Sequence, residues 1–126
     1  MSNQVNSNSG HLYIVSNFSE TDPDRVATPL VLANCALAVD SDVVVWLTMD
    51  GVELAREGKA ASLPTKSFAP VSDLLDSFVE NGGRIGVCPP CGQSHDLSEE
   101  ELISNAEWMG GAALVELAES RQTFNF

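Results

Sequence analysis

The sequence predicts an α/β fold in which helices cover a mainly parallel sheet. Strand-like and helix-like runs alternate along the chain, the order produced by right-handed βαβ crossovers. Asp42-Val43-Val44-Val45-Trp46-Leu47-Thr48 is a near-continuous β-branched and apolar run, as expected of a strand covered on both faces. The length of 126 residues is that of a single domain able to build its own core.

Taken in order, Met1 to Gly10 is rich in Asn and Ser and reads as a disordered tail, with neither the basic nor the apolar region of a signal peptide. The domain is expected over 11–126, opening with a strand at His11–Ser16. Thr21-Asp22-Pro23-Asp24 signals a helix start, with a capping candidate and acids in the first turn, and the helix runs to Val39. It is apolar almost all round (Val26, Leu30, Val31, Leu32, Ala33, Cys35, Ala36, Leu37, Val39), whereas packing on one sheet needs a single stripe. The surplus predicts a second covered face, most economically another subunit, so a homo-oligomer is expected. Cys35 reads as a small hydrophobe in the core.

After the second strand, Asp50-Gly51 makes a turn, Val52 to Glu57 a short helix, and Lys59 to Lys66 a loop. A helix over Val71–Glu80 points Leu74, Leu75, Phe78 and Val79 inward and stops at Asn81-Gly82-Gly83. Arg84–Val87 is the third strand. Ser98 and Glu101, in capping-box register, open a further helix. Asn105–Met109 reads as a short strand, 112–119 as a helix, and Thr123–Phe126 as the last strand.

The net charge of −12, from 18 acidic and 6 basic residues, repels phosphate backbones and anionic lipid; nucleic-acid and membrane-surface roles are not expected. No apolar stretch is long enough to span a bilayer. Three cysteines, an odd number without an export signal, predict free thiols in a reducing cytoplasm. Nothing resembles a phosphate-binding Gly-rich loop, GxSxG or HExxH, so a nucleotide enzyme, a serine hydrolase or a zincin is not expected.

The chemistry-bearing stretch is Gly86-Val87-Cys88-Pro89-Pro90-Cys91-Gly92, placed where a buried strand turns into a helix. Carboxyl ends of strands are where parallel α/β sheets keep their reactive groups. The residue before a proline avoids the α region, so neither Cys88 nor Pro89 is expected to be helical, and Pro90 takes the first helical position. The N–H groups of Cys91 and Gly92 then point back at Cys88 and favour its thiolate, with Arg84 or His95 as helpers. Such a thiolate can take the outer sulfur of a donor persulfide and pass it to a partner's thiolate, a substitution at sulfur like thiol–disulfide exchange. The same pair also reads as a CxxC redox couple, as part of a metal site with His95, or as small residues packing a tight turn. His95 beside Asp96 reads as a proton shuttle or an exposed loop residue, and Asp50 as a turn residue or an acid near the cysteine.

At this point the chain resembles the DsrE/DsrF-like sulfur-relay family, including its TusD-type members. The resemblance rests on Trp46-Leu47-Thr48-Met49-Asp50-Gly51-Val52-Glu53-Leu54-Ala55, a strand followed by a "DGV" turn, and on the strand-end Gly86-Val87-Cys88. Met109 to Leu117 is similar to the family's last helix, and Phe124 and Phe126 suit its terminal strand. It implies a three-layer α/β/α sandwich with a five-stranded parallel sheet, trimers or hexamers, and cofactor-free sulfur transfer on Cys88 between donor and acceptor proteins. Pro89-Pro90-Cys91 departs from that pattern, and Cys91 is the resolving partner to be expected. A non-catalytic assembly module of the same fold and a CxxC thiol–disulfide protein stand as alternatives.

Overall fold

The computed structural model describes residues 10–40 and 42–126; the rest of the expected tail, 1–9, lies outside them. Gly10, assigned to that tail, is buried, and its carbonyl accepts the Gln122 N–H at 3.1 Å.

Strands β1 (His11–Val15), β2 (Val43–Leu47), β3 (Arg84–Val87), β4 (Ala106–Trp108) and β5 (Gln122–Asn125) form one sheet in the order β4-β3-β2-β1-β5. Every neighbouring pair is parallel. The helices are α1 (Pro23–Val39), α2 (Val71–Glu80), α3 (Pro89–Ser94) and α4 (Gly111–Ala118). The steps β1 to β2, β2 to β3 and β3 to β4 all run the same way across the sheet, so right-handed crossovers put α1, α2 and α3 on one face. The step from β4 to β5 returns across the sheet and puts α4 on the other.

The side chains follow this division. Tyr13, Val15, Val43, Val45, Leu47, Ile85 and Val87 join Val26, Leu30, Leu75 and Phe78 in the main core. Leu12, Val44, Trp46 and Met109 form the second core, against Leu114 and Leu117 of α4. All five residues of β2 are buried, which is why the sequence there shows no alternation. Asn34 ties α1 to α2, its amide nitrogen donating to Leu30 and Leu74 carbonyls at 2.8 and 3.0 Å. β5 is an edge strand exposed along its whole length.

Several elements differ from the sequence expectation. Cys35 is exposed rather than core. The face of α1 turned inward is Val26, Ala27, Pro29, Leu30, Ala33 and Ala36, and Cys35 lies about 100° around the helix from Ala36. In place of a helix over 52–57, a 3₁₀ helix spans Met49–Ala55. The helix opening at Ser98 is a single 3₁₀ turn, Glu99–Glu101, although its capping box forms. The chain cannot continue it, because Ile103 N–H bonds the Ala55 carbonyl at 2.9 Å and Leu102 bridges Arg56, drawing the next residues into an extended path. Asp22 does occupy the N-cap of α1, but its carboxylate turns to Arg25 at 3.0 Å instead of capping the backbone. Val71, read only as the first residue of its helix, is fully buried.

Candidate active site

Two adjacent strand ends build the site. β2 delivers Thr48, whose N–H bonds the Val15 carbonyl at 3.0 Å, and β3 delivers Cys88, whose N–H bonds the Leu47 carbonyl at 2.9 Å. Past Thr48 the backbone turns sharply: Met49 is left-handed at φ 51 and Gly51 N–H closes on the Thr48 carbonyl at 2.8 Å. A methionine in this conformation is uncommon and persists only where its surroundings impose it. Gly51 supplies that constraint, since a Cβ there would lie 2.2 Å from the Val15 carbonyl oxygen.

Past Cys88, α3 begins at Pro89, one residue earlier than expected, with extended Cys88 as its N-cap. Both prolines occupy first-turn positions whose N–H groups have no helical partner, so neither costs a hydrogen bond. Gly92 is required by packing, because a Cβ would meet the Trp108 ring at 2.5 Å. Its N–H bonds the Cys88 carbonyl at 2.9 Å and so is spent on the helix rather than aimed at the sulfur. Arg84, expected to help, sits at the amino end of β3, about 10–13 Å away along the strand, and pairs with Glu107 at 3.7 Å.

Both thiols are free and half-buried. Cys88 packs against the second core beside Trp46 and Met109, and Cys91 against the main core. The polar donors converge on Cys91, the member of the pair that dipole reasoning passed over. Thr48 Oγ1 lies 3.4 Å from its Sγ. Thr48's hydroxyl, the Met49 N–H and the Cys88 thiol together hold the Cys91 thiol below the usual cysteine value, against the opposing effect of burial. Thr48 contributes most, so local hydrogen bonds act on Cys91, whereas the sequence reading expected the start of α3 to act on Cys88.

His95 caps the C-terminus of α3, its N–H donating to the Cys91 carbonyl at 3.1 Å. Its ring is held between two carboxylates, Nδ1 at 2.7 Å from Glu53 and Nε2 at 3.3 Å from Asp50. The short Glu53 contact makes His95 a strut between α3 and the Met49–Ala55 turn. Arg56 completes the strut with a bidentate grip on Glu53 at 2.8 and 3.1 Å and a bond to the His95 carbonyl at 2.7 Å. Sequence reading picked out Cys88, Cys91, His95 and Asp50, and all four stand at this rim; it missed Thr48, Met49, Glu53 and Arg56. The available signal was that Thr48 ends the strand beside the cysteine strand, and that Glu53 and Arg56 are opposite charges three residues apart in sequence. Among the described residues no group of three His, Cys, Asp or Glu side chains is placed to hold a metal ion. Among them, too, no helix is long and apolar enough to cross a membrane.

The strut makes acid stability testable. The Arg56 guanidinium, followed by the His95 ring and the Lys59 charge, holds the Glu53 carboxyl at about 2 against its ordinary 4.5, despite burial. Because the folded value is the lower one, the stabilisation is complete above about pH 4.5 and is lost as pH falls toward 2. Arg56→Ala is expected to move the acid-unfolding midpoint, followed by circular dichroism, upward by roughly one pH unit. An unchanged midpoint would remove the strut from the account.

Comparison with known proteins agrees with this fold. The chain is 31% identical over 84 residues, 67% of its length, to the uncharacterized protein MK0008 of Methanopyrus kandleri, and that stretch spans 66% of the relative. It is 31% identical over 85 residues, again 67% of the chain, to the uncharacterized protein MJ0989 of Methanocaldococcus jannaschii, spanning 70% of it. MJ0760 of the same organism is 23% identical over 99 residues, 79% of the chain, which spans only 36% of that relative. Among solved structures, the ychN protein from E. coli superposes with a TM-score of 0.74 at 18% identity, over 93% of this chain and 99% of that one, a likeness of fold. The model of the DsrE/DsrF-like family matches residues 11–126, and the chain belongs to that family.

Proposed function

We propose that the chain handles sulfane sulfur at the Cys88–Cys91 pair. A Cys88 thiolate attacks the outer sulfur of a donor persulfide, the donor thiolate leaves, and Cys88 carries the sulfur as Cys–S–SH. An acceptor thiolate, on a partner protein or on Cys91, then removes it. The observation that carries this reading is the placement of two free, partly open thiols at the carboxyl rim, in a family associated with sulfur relay. The test is to mix the protein with a persulfide donor and to follow both the donor's sulfane sulfur and the intact mass of the chain. Consumption of the donor sulfur supports uptake. None at all leaves a non-catalytic module of the same fold. The CxxC redox reading is favoured by the donors around Cys91, and a Cys88–Cys91 disulfide forming at mild potential without sulfur uptake would select it.

The surface also supports a homo-oligomer. Leu32, Cys35 and Val39 follow one another at helical spacing on the outward stripe of α1, with Val39 83% exposed. Tyr13 links this stripe to β5: its hydroxyl donates to the Leu32 carbonyl at 3.4 Å, and its ring lies 5.1 Å from that of Phe124, itself exposed. Exposed apolar side chains grouped in this way favour an association surface. The double variant Val39→Glu/Phe124→Glu is expected to reduce the mass measured by light scattering from a trimer or hexamer to a monomer. A wild-type chain that is already monomeric would overturn the assignment.

A further inference from the structure

The donors at the rim are divided unevenly between the two cysteines, and this assigns them different work. Cys91 has the Thr48 hydroxyl at 3.4 Å, and the Met49 N–H acts with it to lower the pKa of the same thiol. Cys88 is the N-cap of α3, three residues before Cys91 at the first turn of the same helix. We infer that Cys91 is the discharging thiol of the pair and Thr48 its positioning residue, so that sulfur taken up on Cys88 leaves as hydrosulfide. The inference rests on the uptake reading above and adds its product.

The step balances without a further participant. The Cys91 thiolate attacks the inner sulfur of Cys88–S–SH, the bond to the terminal sulfur breaks, and HS⁻ departs as the Cys88–Cys91 disulfide forms. The sulfane sulfur gains two electrons and the pair of thiols loses two. A dithiol reductant then returns the pair to its starting state by ordinary exchange. Thr48 acts by donating a hydrogen bond to the attacking sulfur, which raises the share of thiolate at neutral pH. Only a hydroxyl can do this, so the side chain's shape alone does not suffice.

Two measurements on a Cys35→Ser background test it, with inorganic polysulfide as donor. The parent is expected to release one equivalent of hydrosulfide more than Cys91→Ser and end as the disulfide, while Cys91→Ser keeps an added sulfur on Cys88. Thr48→Val is expected to slow release about ten-fold at pH 7, to match the parent at high pH, and to be rescued by Thr48→Ser. A parent that retains the added sulfur, or a Thr48→Val protein as fast as the parent at pH 7, overturns the inference while leaving uptake intact. Absence of any adduct on Cys91→Ser, with no sulfur lost from the donor, overturns uptake and the inference together. The second measurement is the pH profile of Cys91 alkylation in Cys88→Ser. It is expected to shift upward by about one unit in Thr48→Val, and an unshifted profile removes Thr48 from its role whatever the sulfur chemistry.

Discussion

Gly51→Ala is expected to cost about 3 kcal/mol of stability and to dismantle the rim where the cysteines sit. The added Cβ would stand 2.2 Å from the Val15 carbonyl oxygen and 2.9 Å from its carbon, both main-chain atoms of β1. No rotamer relieves such an overlap; either β1 or the Met49–Ala55 turn must move. That carbonyl also accepts the Thr48 N–H, so displacement takes Thr48 away from Cys91. Gly111→Ala is the control, because nothing lies within 4 Å of its Cβ position and the residue begins α4. It is expected to be neutral or slightly stabilising. Urea unfolding by circular dichroism separates the two, and coincident midpoints would show that the turn is not fixed by this contact.

Cys88→Ser is expected to abolish sulfur uptake altogether. A serine hydroxyl is not ionised at neutral pH and cannot carry a sulfane sulfur, while its size preserves the N-cap of α3 and the contact with Trp46 and Met109. Cys35→Ser is the necessary companion. Cys35 is the third free thiol, and it stands on the outer stripe of α1, away from the strand ends. Uptake that survives Cys88→Ser at the parent's rate, or that vanishes with Cys35→Ser, would take the sulfur away from the rim.

The fold was legible where a segment's pattern is set by what covers it. The unbroken apolar run of β2, the Gly and Pro punctuation around α2 and α3, and the alternation of strands and helices all lead to the parallel sheet observed. Helix termini and short turns were less legible. Pro89 counted against a helix start by its effect on the preceding residue, yet two prolines fit the first turn together. The run Glu99–Glu101 has helix-start chemistry, but a pairing between Leu102 and Arg56 ends it after one turn. Cys35 was misplaced because composition gives a helix's apolar content, not which of its flanks meets the sheet. At the site, the cysteines and His95 were visible as rare residue types in a rare place. Thr48, Glu53 and Arg56 are common residues whose roles arise only when β2 and β3 end side by side.

The return of the chain across the sheet after β4 has a consequence for synthesis. β5 pairs with β1 alone, and Phe126 closes that edge through bonds to Ile14 and Ser16 at 2.8 Å. A nascent polypeptide emerging from the ribosome therefore holds β1 with an open row of amides and carbonyls until β5 arrives. During that interval a foreign strand competes for the vacancy, and cellular quality control has its best opportunity to bind.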